Sequence, residues 1–503
     1  MSTSTSLARV QPPQVPATPR WLIVAGAIAS ACLAIVAASV KTKYQVGLLG
    51  GIAIIFLVAI VRDRRTMLFA IAIASMQVTL HKAFSQILAD NSAGIEALYV
   101  TTVDAFIAAL YFAWFWDGSL FKDLPTILRH PVTLCAALMI LGEMASAIHA
   151  VEKFRVFWGI ARDTWMLLLF WYAAAHLKTH RQNWYAISAL YIFILCQGIL
   201  VILQYKTHRA ILAQLLAERR SSTLEIKDII HAQSVSTIFR PLGTAIHPDF
   251  LASSLIFAGV VACVLAITQH HKFQFLSLIA FGLCTLTIAL TLARAAMVGY
   301  GIALIITLIL IHIRRTTSPK RLRISIIIGT ILLIAASYPI IHKFIQDFHQ
   351  LGEELRARGQ LYGVAWHMIQ AHPFIGVGMS NFVKVMHSYE STTLIFGGNP
   401  VHSLYLLTLS ESGIIGCTTL VALFIAILVT GYRATKVTDP LLAAIAIALF
   451  AALIGFFIEE TITFSFREDE PLELFWLAVG WLVAIQSTIP DKRSLPKEQE
   501  VLP

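Results

Sequence analysis

The stretch WLIVAGAIASACLAIVAASV, residues 21–40, is an uninterrupted apolar run bounded by Arg20 and Lys41. A run of roughly 17–25 apolar residues is long enough to cross a bilayer as a helix. Because about twenty polar, Pro-rich residues precede it, we expect a retained membrane span rather than a cleaved signal peptide. The chain is therefore expected to enter a membrane near its start.

Similar runs recur along the whole chain. Its 503 residues are 57% hydrophobic and 13% charged, with a mean hydropathy of +0.75, whereas a soluble chain carries about twice that share of charge. The pattern predicts an all-α polytopic membrane protein with about 12–14 transmembrane helices. The candidate spans are 21–40, 46–62, 66–80, 101–116, 132–150, 154–177, 184–205, 249–269, 273–292, 295–313, 324–342, 412–432, 439–459 and 472–488.

Loop charge sets the expected orientation. Short basic connections fall on one side of the predicted spans, so the positive-inside rule places them and both termini in the cytoplasm. The net charge of +10 is then explained by cytoplasmic loops near anionic headgroups, and no nucleic-acid partner is expected. The predicted organisation is a cytoplasmic tail (1–20), membrane helices (21–205), a periplasmic loop (206–248), membrane helices (249–342), a large, helical periplasmic loop (343–411), membrane helices (412–488) and a cytoplasmic tail (489–503).

Chemistry is expected in the two periplasmic loops, because long structured loops are usually functional. Glu353–Gln370 has helical periodicity, and Arg358 heads a predicted apolar stripe. The stripe comprises Leu361, Tyr362, Ala365, Trp366 and Ile369. An arginine on a buried face requires an anionic partner, which is either a substrate or a carboxylate of the protein itself. Arg356 points elsewhere and can pair with Glu353.

His402 is the second candidate. The turn HPFIGVG, residues 372–378, breaks the preceding helix, and Asn399-Pro400 resembles a helix start. This predicts His402 in the first turn, where the helix field favours a neutral ring and a bound phosphate. A purely structural histidine remains the alternative. Glu411 lies nine residues further on, so on a continuous helix it faces away from His402.

The remaining candidates lie near predicted span ends. Arg240 precedes an extended turn, and His247 and Asp249 precede the next span, while Arg294 lies in a short hairpin. Arg162 and Asp163 lie within a span and are candidates by default. Several arginines with one histidine indicate an anion site, and no metal site is expected.

Residues 358–416 carry a recognisable signature. It reads RGQLY, then HPFIGVG, then HSLYLLTLSESGIIG, with RPLGT from Arg240 and TLARAA around Arg294 upstream. These motifs closely resemble the O-antigen ligase and polymerase superfamily over roughly residues 240–480. Two departures are Ser403, where the family commonly has Asn, and Ala293, where it often has Ser.

The resemblance implies a C-type membrane glycosyltransferase architecture, a polyprenyl-diphosphate donor and no metal or other cofactor. Arg358, Arg240 and His402 would then be catalytic, with Arg294, Arg162 and His247 binding diphosphate or lipid. The expected reaction is that of an O-antigen ligase in a Gram-negative inner membrane, acting at the periplasmic face. It would move glycan from undecaprenyl diphosphate to a sugar hydroxyl of lipid A-core, with membrane lipids as further partners. The alternatives are an O-antigen polymerase, a protein O-oligosaccharyltransferase, and a flippase or transporter of lipid-linked glycan.

Overall fold

The computed structural model describes residues 63–76, 82–83, 99–211, 239–318, 348–390 and 398–490, with the isolated residues 58, 60, 61 and 323. The chain divides into two compact units, Met1–Arg64 and Arg65–Pro503, and the second contains nearly all of the described residues. The predicted spans 21–40 and 324–342, most of 46–62 and of the 206–248 loop, and nearly all of both tails lie outside the described residues.

Regular structure in the described part is almost wholly helical. Its helices are α1 (Arg64–Ser75), α2 (Thr102–Trp116), α3 (Leu120–Leu128), α4 (Pro131–Ser146), α5 (Lys153–His176), α6 (His180–Thr207), α7 (Pro248–Thr268), α8 (His271–Thr291), α9 (Arg294–Arg314), α10 (Phe348–Ala371), α11 (Phe382–Val385), α12 (Leu404–Ala434), α13 (Pro440–Glu459) and α14 (Asp469–Gln486). Short 3-10 turns occupy Met386–Ser388 and Ser465–Arg467. The two-residue strands β1 (Lys82–Ala83) and β2 (Tyr99–Val100) pair antiparallel, with Lys82 opposite Val100.

Local sequence accounts for several helix boundaries. Thr101 and Thr179 each form a capping box, at the starts of α2 and α6. Proline occupies the first position of α7 and α13, where its missing N–H costs nothing. Leu292 adopts a left-handed conformation (φ 56°) between α8 and α9 and so allows the tight hairpin there.

The interior is built around α7. This helix packs against α8, α9, α13 and α14 and is buried on nearly every face, as expected for a helix that is apolar all round. On the flanks, α5 packs on α14 and α4 on α12. Six described helices are long and apolar enough to cross a membrane (α6, α7, α8, α9, α12 and α13), or seven if the bent pair α3–α4 counts as one span.

The protein is an all-α polytopic membrane protein, as the sequence predicts. Helices α7, α8, α9 and α13 begin and end within about two residues of their predicted spans. Helix α12 differs, because it begins at Leu404, eight residues before the predicted span at 412–432, and is broken at Gly413. Its first part therefore belongs to the segment predicted as periplasmic.

Candidate active site

His402 lies just outside the start of α12. Ser403 is the N-cap, and its side-chain oxygen accepts from Leu406 N at 3.5 Å. The prediction that Asn399 caps the helix and that His402 occupies its first turn is therefore wrong. Leu404 N donates to two carbonyls of the hairpin between α13 and α14, those of Glu460 (3.0 Å) and Thr463 (2.7 Å). This contact fixes the helix start after His402, and serine serves as a cap as well as asparagine does.

Helix α10 carries Arg358 towards His402. Arg358 and Tyr362 are one turn apart, and the Tyr362 hydroxyl donates to the carbonyl oxygen of His402 at 3.4 Å. Both side chains are half-buried. Arg356, two residues away, is exposed, so the helical phase separates the two arginines as predicted.

The predicted stripe on α10 is wrong in one respect, because Trp366 is 55% exposed. The face that is covered is centred further round the helix. It consists of Ala357, Leu361, Val364, Ala365 and Met368, and the last four belong to an apolar cluster with Phe382, Met386, Val401 and Leu407. Arg358 consequently lies at the edge of the buried face rather than within it.

Arg240 and Arg358 both approach Asp249. Arg240 Nε donates to Thr291 O at 2.9 Å, and its Nη2 forms an ion pair with Asp249. His247 caps α7, since its Nδ1 accepts from Asp249 N at 3.2 Å, and the same atom lies 3.5 Å from Asp249 Oδ2. Arg358 is within electrostatic range of the same carboxylate. Asp249 is therefore the carboxylate that both guanidinium groups share.

Aromatic rings join this charged group to His402. The His402 ring lies 5.4 Å from that of Phe464 in an edge-to-face arrangement. The Phe464 ring is 6.1 Å from that of Phe250, which in turn is 5.5 Å from the His247 ring. Since Phe250 follows Asp249 directly, the chain of rings brings His402 and the Arg240–Asp249 pair to one end of the helix bundle.

Arg294 and Arg162 have different positions. Arg294 is exposed and begins α9, three residues after Thr291, the residue whose carbonyl binds Arg240. Arg162 instead forms an ion pair with Asp469 and donates to Arg467 O at 2.9 Å. Its side chain is only 13% exposed. Arg294 is thus three residues from Thr291, which binds Arg240, whereas Arg162 binds Asp469 at the start of α14.

A main-chain joint connects the HPFIGVG turn to α12. Gly376 (φ 68°) and Gly413 (φ 62°) both adopt conformations that favour glycine, and a Cβ on either would overlap the opposing main chain. The hydrogen bonds across the joint run from Val377 N to Ser410 O (3.0 Å), Gly378 N to Glu411 O (2.8 Å), Ile414 N to Pro373 O (2.8 Å) and Ile415 N to Phe374 O (3.2 Å). The break in α12 therefore receives its main-chain partners from the turn.

Glu411, whose carbonyl takes part in this joint, forms a buried ion pair with Arg467 through its side chain. The two side chains are 2% and 7% exposed, respectively. Glu411 Oε1 also accepts from Phe382 N at 3.2 Å. Two further buried carboxylates, Glu143 and Asp163, are within electrostatic range of Arg467. Glu411 is therefore bound to the connection between α13 and α14, and His402 contacts the same connection through Phe464.

Glu152 anchors the outer edge of the loop to the start of α5. Its main-chain N donates to Asn381 Oδ1 at 2.9 Å, and its carboxylate pairs with Lys384 and Arg155. Burial raises the pKa of Glu152, but the hydrogen bonds from Lys384 and Arg155 outweigh it, so that the pKa lies below its usual range. The start of α5 is thus bound to the segment that follows the HPFIGVG turn.

Sequence reasoning noted Asp249 without selecting it and missed Phe464. The signal for Asp249 was its position two residues after His247 and nine after Arg240, with opposite charge; nothing local marked Phe464. As for metals, no group of three or more His, Cys, Asp or Glu in the described residues has an arrangement that can hold one. What the site offers chemically is fixed guanidinium groups and an imidazole.

The fold and this site define a multi-pass, all-α membrane protein whose helix ends assemble arginines and a histidine. Residues 279–421 match the family model described as O-antigen ligase. That stretch includes Arg294, Arg358 and His402, while Arg240 and Asp249 lie before it. The match covers under a third of the chain and supports the resemblance to the O-antigen ligase superfamily, whose members are glycosyltransferase-like enzymes that use lipid-linked glycans. No curated protein matches the chain.

Proposed function

We propose that the protein is an O-antigen ligase, which transfers O-antigen polysaccharide from undecaprenyl diphosphate to a sugar hydroxyl of lipid A-core. The observation that carries this proposal is the convergence of Arg240, Arg358 and His402 at one end of the bundle. Arg358 and His402 lie within the segment that matches the family model, and Arg240 joins them from the preceding loop.

Arg240 and Arg358 would bind the diphosphate of the donor. Arg240 is held in place through Thr291 O and Asp249, so little conformational freedom is lost when it meets an anion. A guanidinium group can fork onto two phosphate oxygens, and such bonds strengthen as charge develops on the leaving group. Arg294, exposed beside the Arg240 anchor, and His247 would bind the outer phosphate or the lipid headgroup.

His402 would orient the acceptor hydroxyl and take its proton. Its Nδ1 is buried, which favours Nε2 as the atom that meets the acceptor. The main chain of His402 is fixed by Tyr362 and by the capped start of α12. A group positioned in this way contributes roughly 10²–10⁴-fold to rate.

The reaction would be a single displacement. The acceptor oxygen forms a bond to the anomeric carbon, the bond from that carbon to the diphosphate oxygen breaks, and undecaprenyl diphosphate leaves with the electron pair. The acceptor proton passes to His402. Attack from the face opposite the leaving group inverts the anomeric centre, and holding two lipid-anchored substrates in one cleft supplies much of the rate by proximity.

Orientation follows from the basic loops. The helix ends that carry Arg314, Arg433 and Lys436 lie opposite the end that carries His402, and the positive-inside rule assigns them to the cytoplasm. His402 and the arginines would then face the periplasm of a Gram-negative inner membrane, with both termini cytoplasmic. Arg162, bound to Asp469, would support the base of the site rather than touch diphosphate.

The experiment that tests the proposal offers one donor two acceptors. Purified protein is incubated with labelled undecaprenyl-diphosphate glycan and either lipid A-core or a second molecule of donor. Labelled lipid A-core is the expected product, and His402→Ala protein is the control. A longer lipid-linked glycan would instead identify a polymerase. Absence of both products, with intact protein, would refute the assignment.

A further inference from the structure

Two cations lie against the Tyr432 ring near the C-terminal end of α12, the end far from His402. Lys436 Nζ lies 4.6 Å from the centroid of the Tyr432 ring, and Arg314 Cζ, at the end of α9, lies 5.7 Å from it. The Arg314 Nη2 also donates to Thr435 Oγ1 at 3.3 Å. We call Arg314, Tyr432, Thr435 and Lys436 the Tyr432 cluster.

The cluster has an uncompensated positive charge. Among the described residues, no carboxylate forms an ion pair with Arg314 or Lys436, and the buried Nε of Arg314 has no hydrogen-bond partner. The nearest acid along the chain, Asp439, is engaged elsewhere: it pairs with His180 (2.7 Å) and accepts from Leu442 N (2.9 Å). Two cations held against one ring repel each other, and an anion between or beside them would offset that repulsion.

An apolar strip leads from the cluster towards the middle of α12. Ile425, Val429 and Tyr432 are 57%, 44% and 48% exposed, and their spacing puts them on one face of the helix. Lys436 follows in the turn after Ala434 and reaches back to the Tyr432 ring. From Ile425 to Ala434 the helix rises about 14 Å. That distance is close to half of the roughly 30 Å hydrocarbon core of a bilayer.

We propose that the Tyr432 cluster is a binding site for an anionic phospholipid. The phosphate accepts hydrogen bonds from Arg314 and Lys436, and one acyl chain lies along Ile425 and Val429. A free phosphate could pair with the two cations but has no apolar part to contact Ile425 and Val429. A zwitterionic lipid would bring its own cation to an already positive site. The proposal depends on the membrane fold alone and not on the transfer reaction proposed above.

The simpler explanation is that Tyr432, Arg314 and Lys436 are ordinary interfacial anchors, whose polar ends reach the headgroup region. Anchors of this kind do not discriminate between lipids of equal chain length. Selectivity for negative charge, lost with the two cations of the cluster, is what separates the two explanations.

Native mass spectrometry of the full chain, purified in detergent and freed of lipid, tests this. The probes are phosphatidylglycerol and phosphatidylcholine with identical acyl chains. We expect at least about tenfold tighter binding of phosphatidylglycerol, since each basic residue near an anionic headgroup contributes several-fold. The double variant Arg314→Gln/Lys436→Gln should lose this preference and keep its binding of phosphatidylcholine.

Two further variants control the result. Lys122→Gln/Arg129→Gln removes two exposed cations, one in α3 and one directly after it. Neither has an aromatic partner among the described residues, and this variant should keep the preference. Arg314→Lys/Lys436→Arg preserves charge and should also keep it, which guards against misfolding of the glutamine variant. Equal binding of both lipids by the wild type, an equal loss in the α3 variant, or displacement of phosphatidylglycerol by millimolar inorganic phosphate would each overturn the proposal.

Discussion

Replacing Arg467 by methionine should lower the free energy of unfolding by about 3–5 kcal/mol, the usual cost of removing one partner from a buried ion pair. The partner, Glu411, is 2% exposed and would keep its hydrogen bond from Phe382 N but lose its only ion pair in the described structure. Because Glu143 and Asp163 are also near Arg467, its removal leaves three buried carboxylates with less positive charge, which argues for the upper end of the range.

The partner variant should behave differently. Glu411→Gln retains an oxygen that can accept from Phe382 N, and Arg467 keeps Glu143 and Asp163 as anionic neighbours. A smaller loss of roughly 1–3 kcal/mol follows, typical of a weakened buried hydrogen bond to a charged group. In the double variant Glu411 no longer leaves a buried charge without its partner, although Glu143 and Asp163 still lose Arg467. The loss should therefore be smaller than the sum of the two single losses, with a coupling energy of at least about 2 kcal/mol.

The assay is reversible unfolding in mixed micelles by titration with sodium dodecyl sulfate, followed by tryptophan fluorescence. Lys384→Met is a matched control, because Lys384 also pairs with a carboxylate but is 44% exposed, and an exposed pair contributes less than about 1 kcal/mol. If the losses of Arg467→Met and Glu411→Gln simply add in the double variant, within about 0.5 kcal/mol, then the ion pair is not what fixes the hairpin to α12.

Four further predictions concern the candidate site. His402→Ala should reduce transfer by roughly 10²–10⁴-fold with unfolding unchanged; activity above about a tenth of wild type would exclude it as the base. Arg358→Lys should weaken donor binding nearly as much as Arg358→Ala does, since lysine cannot fork onto two oxygens. Arg356 is exposed, and Arg356→Ala should have a small effect. If Arg358→Ala binds donor normally but has a much lower melting temperature, Arg358 has a structural role instead. Gly376→Ala should lower the free energy of unfolding by at least about 2 kcal/mol, because the residue has a positive φ and its new Cβ would overlap the main chain of α12. Gly359→Ala places nothing within 4 Å of the new Cβ, so it should be neutral or stabilising by about 0.5–1 kcal/mol. Equal effects of the two substitutions would show that the joint does not stabilise the protein. Transfer should persist in EDTA, and a full loss that Mg²⁺ or Mn²⁺ restores would show that a metal is required.

Much of the fold could be predicted because the membrane imposes simple rules. Apolar runs of fixed length and proline at helix starts locate α7 and α13 almost to the residue. The start of α12 could not be placed in this way, since Asn399 and Ser403 are both acceptable caps. The choice depends on Leu404 N donating to Glu460 O and Thr463 O, which lie 56 and 59 residues further along the chain.

The site was predictable in its residue types and less so in its arrangement. Arg240, Arg358 and His402 stand out as polar groups in loops between apolar spans. Trp366 was misplaced because α10 has two overlapping apolar stripes, and only the neighbouring apolar cluster decides which of them is covered. The role of Asp249 likewise required the fold, which brings it to Arg240.

The joint between the HPFIGVG turn and the break in α12 has a consequence for how this protein can change. Its hydrogen bonds are made by main-chain atoms, so they do not depend on which side chains the neighbouring residues carry. Phe374, Ile414 and Ile415 take part through their backbones while their side chains are 69%, 48% and 41% exposed. These three positions can therefore be varied, or given a spectroscopic label, without altering the main-chain framework that holds the HPFIGVG turn against α12.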